Sequence, residues 1–132
     1  MVRQLDMFQK HRPKAALEFR TCCALAMTID YLIRPQWKYS HLPFGESRSA
    51  ITGARLKRLG TKRGWPDYIF IGPHGSTFWM EVKRDKLGRL SEAQLEFAAH
   101  AKASGHDYAC VTSYEQAIEA LVSRNIIRPV TT

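Results

Sequence analysis

The chain is expected to adopt an α/β fold, a central mixed β-sheet flanked by helices, on three observations. Residues 14–34 carry apolar side chains at helical spacing. Two short apolar runs, 68–71 and 77–83, flank a cluster of turn residues and read as a hairpin. Two serine-capped helical segments then bracket a further apolar run at 108–112. The order helix, strands, helix, strand, helix makes a small α/β sandwich. At 132 residues the chain is expected to be one domain, long enough to bury a single core.

Residues 1–12 form a basic head expected to act as a mobile arm, and Pro13 suits the first turn of the helix that follows. Within that helix Cys22, Leu25, Ile29, Leu32 and Ile33 recur on one side, and Pro35 stops it. Glu18 lies on the same stripe one turn before Cys22, so a carboxylate falls where the core face should be. Residues 37–41 alternate like a short strand. A basic stretch, 45–63, follows, with Arg48, Arg55, Lys57, Arg58, Lys62 and Arg63 and no acid between Glu46 and Asp67. Its middle can form a helix, against which Gly53 and Gly60 count.

Tyr68-Ile69-Phe70-Ile71 is a compact apolar strand, Gly72-Pro73-His74-Gly75 carries turn chemistry, and residues 77–83 return as a second strand. Pairing Ile71 with Thr77 would set Asp67 directly opposite Glu81. Side chains alternate across a strand, so Glu81, Lys83 and Asp67 would then share one face. Residues 85–88 form a polar turn. Ser91-Glu92-Ala93-Gln94 has capping-box form and opens a helix carrying Leu95, Phe97, Ala98 and Ala101, ended by Gly105. Ser113-Tyr114-Glu115-Gln116 repeats the cap, with Ala117, Ile118 and Leu121 facing inward. Trp65 and Trp79 read as core or rim packing rather than base-stacking platforms, and His74 and His106 as solvated.

Formal net charge is +8. Such an excess attracts polyanions, nucleic acid first among them, although an anionic membrane surface or ribosomal RNA would suit the charge equally. No apolar run approaches the roughly 18–20 residues that span a bilayer, so no membrane partner is expected. The N-terminus lacks the apolar stretch of a signal peptide. Three cysteines, two of them adjacent, give neither a disulfide framework nor a zinc pattern, and a reduced, cytoplasmic protein is expected.

Two carboxylates and an amine at adjacent strand ends suit phosphodiester hydrolysis. A hard divalent ion takes one or two carboxylates together with phosphate and water. The ion activates a water, and a lysine on the same face can orient or deprotonate it. The plainer reading is a strand-edge salt bridge. The core strands behind Asp67 and Glu81 favour the chemistry instead. Glu18 is a candidate third acid. Gln94 serves the Ser91 cap and can still lie beside the acids. The basic stretch, with His41 next to it, is a candidate surface for phosphates rather than a merely solvated face.

Gly64-Trp65-Pro66-Asp67, then Phe78-Trp79-Met80-Glu81-Val82-Lys83, then Leu90-Ser91-Glu92-Ala93-Gln94 resembles the virus-type replication-repair nuclease (VRR-NUC) family of the PD-(D/E)xK superfamily. The string His41-Leu42-Pro43, with Gly45, Arg48, Leu56 and Lys57, is similar to the first half of that family. The family often has a small or aliphatic residue where Trp65 stands, and commonly an asparagine where Phe44 stands. The resemblance implies a restriction-endonuclease-like fold with Asp67 and Glu81 as metal ligands and Lys83 as catalytic lysine. Gln94 would be the helical glutamine beside the site, and Glu18 the acid of the first helix. It also implies magnesium or manganese, with the backbone carbonyl of Val82 as a further ligand. Small members of this type, typical of phages and bacteria, look like homodimers that cleave branched DNA such as four-way junctions. A restriction-type or flap nuclease, an RNA-directed nuclease and a catalytically inert DNA-binding protein are the alternatives.

Overall fold

The chain's periodicities become helix α1 (Lys14–Leu32), strand β1 (Lys38–His41), helix α2 (Ala50–Arg58) and strand β2 (Tyr68–Ile71). Strand β3 (Thr77–Val82), helix α3 (Glu92–Ala103), strand β4 (Asp107–Val111) and helix α4 (Tyr114–Ser123) follow. The computed structural model describes residues 14–43, 49–83 and 89–130, with side chains from Phe19 onward. The expectations for the arm at 1–12, for Phe44, Gly45, Arg48 and the turn at 85–88, and for the side chain of Glu18, lie outside the described residues.

The strands form one mixed sheet in the order β1-β2-β3-β4. β1 and β2, and β2 and β3, pair antiparallel, while β4 runs parallel to β3. A parallel neighbour demands a crossover, and α3 supplies it. Ile71 pairs with Thr77, the register that sets Asp67 opposite Glu81. The turn itself is a short 3-10 segment, Pro73–Gly75, with His74 at φ 57°. Gly72 has no room for a side chain, because an added Cβ would come within 2.6 Å of the Trp37 ring.

Alternation gives the sheet two apolar faces. On one, Tyr68, Phe70, Phe78, Met80 and Val111 pack with Leu25 and Ile29 of α1 and with Ala117 and Leu121 of α4. On the other, Trp79 and Tyr108 pack with Ala98 and Ala101 of α3. Helices on both faces make the α/β sandwich expected from sequence. Leu95, by contrast, is exposed rather than core-facing. Among the described residues no helix is long and apolar enough to cross a membrane.

Side-chain caps fix three helix starts. Ser49 accepts from the Thr52 N–H, Ser91 and Gln94 form the reciprocal box, and Ser113 accepts from the Gln116 N–H. The last cap is only half of the expected box. Gln116 Oε1 accepts instead from the backbone N–H and the hydroxyl of Thr112.

Three tyrosines tie the layers together. Tyr39 donates to Asp30 Oδ1 at 2.6 Å, Tyr68 lies between α1 and the sheet, and Tyr108 lies under α3. Burial raises all three phenols well above the ordinary 10.0. The Asp30 contact adds to the shift of Tyr39, the Cys22 side chain to that of Tyr68 and the Glu81 charge to that of Tyr108. The folded state therefore holds these protons more tightly than the unfolded chain. Their stabilisation is complete below pH 10 and is lost as pH rises through the folded values. In an alkaline titration, tyrosinate absorbance from these three should appear together with loss of the far-ultraviolet circular dichroism. Full ionisation near pH 10 with the helical signal intact would contradict this packing.

Candidate active site

The β2–β3 ladder pairs Tyr68 with Met80, and one step further along the same register Asp67 faces Glu81. Tyr68 and Met80 point into the α1 face, so Asp67 and Glu81 lie on the α3 face. Lys83, two positions on from Glu81, falls on that face as well.

Asp67 is held at both its backbone and its carboxylate. Its carbonyl accepts the Leu42 N–H at 2.7 Å, and Oδ2 accepts the Val82 N–H at 2.8 Å. That bond uses one of about four acceptor positions on a carboxylate. In an extended residue the N–H and C=O point to the same edge, so the Val82 carbonyl is directed toward Asp67 too. Lys83 donates its own N–H to the Val111 carbonyl at 2.7 Å, which anchors the end of β3 on β4.

Glu81 is 5% exposed, the charged side chain buried among the described residues. Burying a carboxylate costs several kcal/mol unless partners compensate. One partner is Gln94, whose Nε2 donates to Glu81 Oε1 at 3.2 Å. The Oε1 of the same glutamine accepts the Ser91 N–H at 2.8 Å. A single side chain therefore closes the helix cap and orients the acid, so the two roles foreseen for Gln94 coexist. Both carboxylates and the amine act on Cys110, the β4 partner of Glu81. Burial raises the Cys110 thiol, Glu81 and Asp67 raise it further, and Lys83 opposes them. Tyr108 next to it is raised by Glu81 and Asp67 after burial.

The other sequence candidates surround this point. Cys22 of α1 lies against Tyr68, whose hydroxyl reaches its carbonyl at 3.5 Å. Glu18 precedes Cys22 by one helical turn, toward the start of α1. His41 pairs with Tyr68 and sets its ring edge-on to that tyrosine at 5.1 Å. It therefore stands on the α1 face, opposite to that of Glu81. Arg55, Lys57 and Arg58 are exposed on α2, and Lys62 and Arg63 are exposed on the loop to β2. The ion pair found among the described residues, Arg124 with Asp107, involves none of them.

Among the described residues no group of three or more His, Cys, Asp and Glu side chains could hold a metal ion. Two carboxylates with an adjacent carbonyl still suit a hard cation that completes its shell with water and phosphate.

Sequence reading missed two features. His106 is not solvated. It is half-buried, and its Nδ1 accepts the Trp79 indole N–H at 2.9 Å. Gly64, met in sequence only as part of a motif, has φ +88, and a Cβ there would lie 2.5 Å from the Ala93 carbonyl carbon. This close approach seats the loop before Asp67 against the start of α3, beside Gln94. Gly64→Ala should cost about 2 kcal/mol from backbone strain and overlap together. Urea denaturation checks this, and a change below about 0.5 kcal/mol would remove the requirement for glycine.

No family model and no curated protein matches the sequence. Among solved structures, the fold is similar to a chain titled "VRR_NUC domain". The likeness has a TM-score of 0.54 and 22% identity, and covers 80% of this chain and 94% of that one. At that identity the similarity is one of architecture. The mixed four-stranded sheet between helices has the VRR-NUC fold.

Proposed function

We propose that the chain is a metal-dependent endonuclease that hydrolyses phosphodiester bonds in branched or otherwise structured DNA. The observation that carries this reading is the β2–β3 register, which sets Asp67 opposite Glu81 on one sheet face with Lys83 two positions on. The VRR-NUC fold supports it, as do the +8 charge and the exposed cations of α2 and the following loop.

Asp67, Glu81 and the Val82 carbonyl would hold a magnesium or manganese ion, because all three offer hard oxygen donors. Such an ion, when bound, polarises the phosphoryl group, acidifies the attacking water and offsets charge on the leaving oxygen. Lys83 would steer that water or accept its proton as the new phosphorus–oxygen bond forms and the old one breaks. Gln94 would keep Glu81 aimed at the ion. Glu18, from the turn of α1 before Cys22, is the proposed third acid. Arg48, Arg55, Lys57, Arg58, Lys62, Arg63 and His41 are the proposed phosphate contacts, which set register on DNA without reading sequence.

The preference for four-way junctions follows from the family resemblance. A homodimer follows from it and from symmetry, since two strands cut alike need two sites and one chain of this size carries one. The cytoplasm is the proposed location.

Purified protein with manganese or magnesium should cut at least one branched form in a panel of duplex, flap, gapped and four-way DNA. Asp67→Asn, which keeps an acceptor for the Val82 N–H, and Lys83→Ala should each lower cleavage by about 10²-fold or more while leaving the thermal midpoint near that of the parent. If no DNA of any shape is cut, and both substitutions merely alter DNA binding, the protein is an inert binder.

A further inference from the structure

The α3 face carries a cleft of about 430 Å3 beside the candidate active site. Trp65, Trp79 and Phe97 form its aromatic wall, with ring centroids 5.5 Å apart for the two indoles and 4.9 Å for each indole against Phe97. Trp79 is buried, whereas Trp65 is 41% exposed at the rim. Arg63 and His106 add polar edges. An indole N–H can only donate, so the His106 Nδ1 that receives it carries no hydrogen. The neutral ring then keeps its hydrogen on Nε2, as a donor.

Chain connectivity joins this cleft to the acids. Trp65 precedes Asp67 by two residues, Trp79 precedes Glu81 by two on the same face of β3, and Ala93, on the lining, precedes Gln94. Two strand residues span about 7 Å, so the cleft is within reach of a nucleotide whose phosphate lies at the acids.

We propose that this cleft receives one unstacked nucleobase of the strand whose phosphate lies against Asp67, Glu81 and Lys83. The proposal rests on the nuclease reading and deepens it: the substrate carries an unpaired nucleotide beside the scissile bond. Aromatic faces accept any base, because every base has a π-face. The volume lies within the usual range for ligand sites. Arg63 and the basic loop supply the charge that a backbone phosphate needs. A continuous duplex offers no such base unless it is flipped from the stack.

Binding of a gapped duplex, measured in chelator so that nothing is cut, tests this directly. Each nucleotide of the gap is replaced in turn by an abasic sugar. At one position the loss of the base should weaken wild-type binding about tenfold. Trp65→Leu keeps an apolar side chain without a stacking face and should make that position insensitive, while Trp65→Phe should keep the dependence. If no position depends on its base, or if Trp65→Leu retains the same dependence, the cleft is not a base site. The wild-type scan decides even where Trp65→Leu fails to fold. A cleft that receives a side chain of a second copy would instead give a monomer on Trp65→Leu in sedimentation, with no base dependence, and that too overturns the proposal. Cleavage of the same duplex in manganese reads the nuclease assignment separately. Cleavage without base dependence discards the cleft alone, and base dependence without cleavage discards hydrolysis alone.

Discussion

The register of the β2–β3 hairpin is the constraint on which the site depends. Side chains alternate with a period of two, so a slip of one residue would carry Glu81 into the α1 face and Met80 out of it. Both faces of this sheet are packed, and the core enforces the pairing: Phe70 against Phe78 and Tyr68 against Met80 leave no alternative that buries the same set. Asp67 stands just beyond the last ladder pair. Its carboxylate takes the Val82 N–H that the end of β2 would otherwise leave without a strand partner. The same bond closes the hairpin and aims the acid.

Around that point the fold accepts an electrostatic cost. Two carboxylates act on the buried Tyr108 and the half-buried Cys110, and one of them, Glu81, is almost fully removed from water. Gln94 answers part of this with an amide donor that is itself fixed by the Ser91 cap. That amide orients the carboxylate from the start of α3. The loop leading to Asp67 is held against the start of α3 through Gly64, so the acids, the capping glutamine and the aromatic cleft belong to one packed unit.

Much of this was legible because local patterns carried it. Turn residues at 72–75 announced the hairpin, the apolar runs announced the strands, and Ser91 with Gln94 announced the start of α3. Contacts between elements distant in sequence were not legible. His106 follows a helix end, and nothing nearby in sequence shows that the parallel β3–β4 crossover brings it to the Trp79 indole. The requirement at Gly64 comes from α3, some thirty residues on, so sequence exposes the glycine but not its cause. Gly53 argued against a helix that forms all the same, because the Ser49 cap and the rest of 50–58 outweigh one glycine. His41 drew notice for its place beside the basic stretch, but that place could not reveal that it takes the α1 face.

Anomalous scattering from a crystal soaked in manganese tests the central claim most directly, because it locates the ion without reference to activity. The account predicts a peak in contact with one oxygen of Asp67 and one of Glu81. A peak elsewhere, or carboxylates turned apart with no peak between them, would contradict it.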